Sequence, residues 1–113
     1  MKKQFIASVA FTLATVVLSS SAVAGVDAEA AQKLAKKNDC FKCHAVDKTK
    51  KGPAYKKVAL KYKGNPEGEA KIIKNITTGP MVKLEDGTQE AHRIIDTKDM
   101  NEIKNLAQWI LSL

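Results

Sequence analysis

Apolar residues change their rhythm along this chain, and each rhythm predicts an element. From Phe5 to Leu18 the residues are apolar apart from Ser8, Thr12 and Thr15, behind a short positive start at Lys2 and Lys3. Small residues follow from Ser19 to Gly25, with an A-x-A site at Ala22-Val23-Ala24. A charged head, an apolar middle too short to span comfortably and a small-residue site predict an export signal over residues 1–24, cut after Ala24. Nothing downstream is apolar enough to cross a bilayer, so residues 25–113 are expected as one domain without stable membrane insertion after cleavage.

Within that domain the helical period dominates. "DAEAAQKLAKK" is rich in helix formers, with Asp27 placed to cap, Glu29 in the first turn and lysines at the far end, as the helix dipole favours. A second helix is predicted across "PAYKKVALKYK", with Pro53 at its first position and Gly64 beyond its end. A third runs from Asn65, as cap, and Pro66 through Ile76, and Gly79-Pro80 stops it. Residues 81–96 read as loop, with a tight-turn signal at Asp86-Gly87 but flanks that alternate too weakly to predict strands. The last helix is the clearest. Asp99 and Glu102 have capping-box spacing, and Ile103, Leu106, Ala107, Ile110 and Leu113 form one stripe, which Met100 extends as core filler. The predicted class is all-α.

Charge and size add two constraints. The whole chain carries a formal +7, and loss of Lys2 and Lys3 with the leader would leave +5, a balance that favours acidic partners. Nucleic acid is not expected as a partner of an exported chain. A domain this small buries a modest core and often gains stability from a disulfide, a metal or a bound group.

The candidate chemistry lies in "NDCFKCHAVD". Both cysteines of the chain and one of its two histidines fall within five positions there, as Cys40, Cys43 and His44. A thioredoxin-like redox disulfide would need strands that the pattern does not offer. Zinc would need Cys40, Cys43, His44 and His92 together, yet the side chains of neighbours Cys43 and His44 diverge. Covalent haem fits. C-x-x-C-H is the c-type attachment sequence, in which two intervening residues let one turn of backbone present both sulfurs to the two vinyl groups of the macrocycle. The following His44 can then reach the iron beneath the ring. One haem c per chain is expected, held by Cys40 and Cys43.

On these segments the chain resembles the small monohaem class I cytochromes c of bacteria. "LAKKNDCFKCHAVD" is similar to the family's first helix and attachment site, "KKGPAYKKVALKYKG" to its Gly-Pro loop and next helix, and "NEIKNLAQWILSL" to its last helix with its tryptophan. The resemblance implies helices wrapped around the haem, with the terminal two crossing near the attachment site. It also implies that the Pro53 carbonyl accepts a hydrogen bond from His44 Nδ1 and that Trp109 packs near the haem edge. The family's distal methionine has no counterpart at its usual place. Counted back from Trp109, that place falls at Arg93, beside His92, which is therefore the preferred distal iron ligand. Met81, which follows Pro80, and Met100 are the alternatives, and an open distal site is the fourth.

Two functions remain at this point. A six-coordinate iron makes the protein a soluble periplasmic one-electron carrier and not an enzyme; an open distal site makes it a binder or sensor of a small ligand. Redox proteins with acidic docking surfaces are the expected partners of a carrier, because Lys42, Lys48, Lys50, Lys51, Lys56, Lys57, Lys61 and Lys63 crowd the attachment region. A monomer is expected.

Overall fold

A computed structural model describes residues 25–113; the predicted export signal lies outside the described residues. The chain runs through α1 (Ala28–Lys37), a 3-10 turn (Cys40–Lys42), α2 (Tyr55–Lys61), α3 (Gly68–Thr78), strands β1 (Met81–Lys83) and β2 (Gln89–Ala91), and α4 (Met100–Leu111).

The terminal helices cross, as the family resemblance implies. On α1 the buried positions are Ala31, Leu34 and Ala35, and α4 meets them with Ile103, Leu106, Ala107 and Ile110. Alanines at the contact, each no more than 1% exposed, let the two backbones approach closely. The caps are shared between the two helices. Asp27 Oδ1 accepts from the Ala30 amide at 3.0 Å, while the Asp27 amide donates to Asn105 Oδ1 at 2.9 Å and Asn105 Nδ2 donates to the Asp27 carbonyl at 2.9 Å. At the start of α4, Asp99 Oδ1 accepts from the Asn101 amide. Glu102 does not close a simple capping box. The Asp99 amide donates to the Thr97 hydroxyl, which in turn donates to Glu102.

Three sequence expectations shift. Helix α2 starts at Tyr55 and not at Pro53, because its first amides are satisfied from outside: Tyr55 donates to the Ala45 carbonyl and Lys56 to that of Val46. Helix α3 starts at Gly68. Asn65 caps a separate turn, accepting from the Glu67 amide, and Gly68 lies so near Tyr62 that an added Cβ would stand 2.7 Å from its Cβ. Met100 is 48% exposed at the head of α4 and fills no core.

The segment expected as loop contains an antiparallel hairpin, paired Met81 with Ala91 and Lys83 with Gln89. Leu84 and Thr88 close a three-residue connection in which Gly87 takes φ +86°, the left-handed position this loop type requires. Asp86 Oδ1 accepts from both the amide and the hydroxyl of Thr88 and holds the turn in shape. With strands of three residues, the fold stays helical in class.

Candidate functional site

The attachment segment leaves α1 through Asn38 and Asp39, and Asp39 takes φ +56°, a conformation that Asp tolerates better than most residues. The 3-10 turn follows, and the Cys43 and His44 amides both return to the Cys40 carbonyl. Cys40 and Cys43 are free thiols, both partly buried, in the wall of one cavity of about 760 Å³. Burial raises the Cys40 thiol pKa, opposed by a hydrogen bond with Tyr55. Burial likewise pushes the Tyr55 hydroxyl far up, so it stays protonated.

His44 is gripped on three sides. Its Nδ1 lies 2.7 Å from the Pro53 carbonyl, which can only accept, so Nδ1 carries the proton and Nε2 keeps its lone pair. Tyr55 stacks on one face of the ring, 4.9 Å between centres and 20° from parallel. Gly52 touches the ring as well: an added Cβ would stand 2.7 Å from Cε1 and 3.0 Å from Nδ1. Burial lowers the pKa of His44, with the Pro53 hydrogen bond opposing and His92 adding to the fall. A neutral imidazole with one free nitrogen is the form a metal requires. The Gly52→Ala protein should therefore be less stable by about 1–3 kcal/mol, since a ring held by Pro53 and Tyr55 has no room to retreat; thermal unfolding of the haem-loaded protein measures it.

Across the cavity stands His92, at the exit of β2. Its amide donates to the Pro80 carbonyl at 2.8 Å, and its Nδ1 lies 2.9 Å from the Arg93 carbonyl. The ring centres of His44 and His92 are 6.1 Å apart and the planes differ by 40°. Two imidazoles bound to opposite sides of one metal, at about 2.0–2.1 Å per bond, have their centres about 6 Å apart. Behind the pair the wall is apolar, from Ile72, Ile76, Ile95, Leu106 and Ile110. Val82, Leu84 and Ala91 of the hairpin region add to it beside His92. Paired thiols, a neutral histidine, a facing histidine and a largely apolar cavity fit a covalently held haem.

The other sequence candidates divide. Pro53 lines the cavity and receives the His44 hydrogen bond. Trp109 is not in the cavity wall; it is 4% exposed and meets Tyr55 edge-on at 5.7 Å, one aromatic ring behind. Met81 is 62% exposed, and neither it nor Met100 lines the cavity. Sequence reasoning missed Tyr55 and Gly52. The Gly-Pro pair beside the attachment site was the available signal for Gly52; nothing marked Tyr55 as more than core.

Comparison with known proteins gives the family. The cytochrome c family model matches residues 28–113. The chain is similar to the class 1 cytochrome MtoD from Sideroxydans lithotrophicus ES-1, at 53% identity and TM-score 0.74, over 78% of this chain and 97% of that one. It is 34% identical to cytochrome c-551 of Pseudomonas aeruginosa, over 78% of this chain and 81% of that protein. With cytochrome c-552 of Nitrosomonas europaea it shares 35% identity over 89% of this chain and 94% of that one. The chain thus belongs to the cytochrome c family, as a small class I c-type cytochrome that carries one covalently attached haem c and transfers electrons rather than acting as an enzyme.

Proposed function

We propose that this protein is an exported, periplasmic one-electron carrier whose haem is bonded to Cys40 and Cys43 and ligated by His44 on the proximal side and His92 on the distal side. One observation carries the reading: the two imidazoles oppose each other across a single cavity with centres 6.1 Å apart, while Met81 and Met100 lie outside its wall. Haem so bound supplies an Fe(II)/Fe(III) couple, and a second imidazole leaves its potential lower than methionine would. The protein's own part is to hold both rings still. Pro53 keeps the His44 proton on Nδ1 and raises the basicity of the ring, Tyr55 and Gly52 fix its plane, and the apolar wall excludes water. Low-temperature EPR with near-infrared magnetic circular dichroism on the oxidised protein tests the ligand set. Bis-imidazole spectra are expected, and a thioether charge-transfer band would refute His92.

Export rests on the leader at residues 1–24, and among the described residues no helix is long and apolar enough to cross a membrane. Docking rests on charge. Lys42, Lys51, Lys57, Lys61 and Lys83 all line the cavity, and Leu60, 70% exposed, stands on α2 between Lys57 and Lys61 in sequence. A basic collar with an apolar spot suits weak, fast, salt-sensitive association of a monomer with acidic redox partners. Exchange of Lys51, Lys57 and Lys61 for Glu should slow reduction by an acidic partner at least about tenfold at low salt and remove its salt dependence. Stopped-flow reduction across a salt series reads both effects, and unchanged rates would discard the collar.

A further inference from the structure

Apart from the aromatic side chains of Tyr55 and Trp109, the only buried residue with a polar side chain among the described residues is Asn38, 6% exposed at the end of α1. No haem-binding role falls to it, yet its hydrogen bonds converge on the segment that follows His92. Asn38 Nδ2 donates to the Leu34 carbonyl at 3.0 Å and to Asp96 Oδ1 at 3.2 Å, and Oδ1 accepts from the Asp96 amide at 2.9 Å. The Asn38 carbonyl accepts from Arg93 Nη1 at 3.3 Å, and the same guanidinium nitrogen donates to Asp39 Oδ2 at 2.6 Å. Residues 38 and 39 immediately precede Cys40, and residues 93 and 96 follow His92. The two histidine-bearing segments are thus tied directly to each other.

The tie matters because the distal segment has little else. Arg93, Ile94 and Asp96 are exposed, and of residues 92–96 only Ile95 is buried. Two backbone bonds also hold this stretch, from the His92 amide to Pro80 and from the Ile95 amide to Ile76, and the exposed Lys37 ammonium pairs with Asp96 at 3.2 Å. A loop with few apolar contacts opens readily. An amide pair formed around a buried side chain is shielded from water and resists such opening more than an exposed one. We propose that Asn38, supported by the Asp39–Arg93 ion pair, is a positioning residue for the distal ligand that sets how often His92 leaves the iron. The inference rests on the reading of His92 as that ligand.

The test compares haem-loaded parent, Asn38→Ala, Arg93→Gln and His92→Ala proteins by carbon monoxide association to the reduced form and by EPR of the oxidised form. Asn38→Ala should associate at least about tenfold faster than the parent with altered g-values, and Arg93→Gln should show a smaller rise in the same direction. An Asn38→Ala protein that is folded, even if less stable, but keeps the parent rate and g-values overturns the proposal. Should that variant fail to fold, Arg93→Gln and Asp39→Asn decide, because their side chains are exposed, and parental rates in both overturn it. His92→Ala separates the two layers. If it too keeps the parent rate and spectrum, the ligand assignment has failed; if it alone departs, only the positioning role has.

Discussion

Exported protein with both Cys40→Ser and Cys43→Ser should emerge colourless and largely unfolded. A serine hydroxyl has neither the nucleophilicity nor the polarisability of a thiolate, so no bond to the vinyl carbons forms and haem is lost to solution. The fold then faces its own cavity of about 760 Å³, backed by Ile72, Ile76, Ile95, Leu106 and Ile110. The packing lost from an emptied apolar hollow weighs heavily against the roughly 5–15 kcal/mol that holds a domain together. Absorbance of the periplasmic fraction, intact mass and far-ultraviolet circular dichroism give the outcome. Colour that survives acidified acetone extraction of the double variant would refute the thioether assignment.

His92→Ala should open the distal coordination position. In reduced form this variant is expected to bind carbon monoxide completely within the mixing time, where the parent reacts slowly or incompletely, and added imidazole should restore a parent-like spectrum. Alanine offers no donor atom. The Arg93 guanidinium has no acceptor atom to offer a metal and lies 2.6 Å from the Asp39 carboxylate. Met81 and Met100 lie outside the wall and would have to carry β1 or the head of α4 with them. An unchanged association rate would remove His92 from the iron. The experiment also bears on the rival function, since a parent that already binds carbon monoxide at the variant's rate has an open distal site.

Most of the helical frame was legible because it depends on local patterns. The stripe of α4, the Asp27 cap of α1 and the Gly79 stop of α3 are each carried by residues within a turn of one another. What the pattern could not show were features decided by distant partners. The start of α2 is set by the carbonyls of Ala45 and Val46, and β1 offers a single half-buried residue, Val82, between exposed Met81 and Lys83, too few residues to read as alternation. The site divides in the same way. Cys40, Cys43 and His44 fall within five positions and announce their chemistry, whereas His92 becomes a candidate only by its position relative to Trp109. Tyr55, Gly52 and Asn38 stand out only through contacts made after folding, and their residue types alone carry no such signal.

With its ring clamped by Pro53, Tyr55 and Gly52, His44 leaves almost no latitude on its own side of the macrocycle. Under the proposed ligand set, adjustment of this protein's redox couple would fall to the opposite wall, where length, charge and donor atom between Pro80 and Ile95 could change while the Cys40–Tyr55 half stayed as it is. A designer seeking a different potential should leave the Cys40–Tyr55 half intact and graft onto the hairpin.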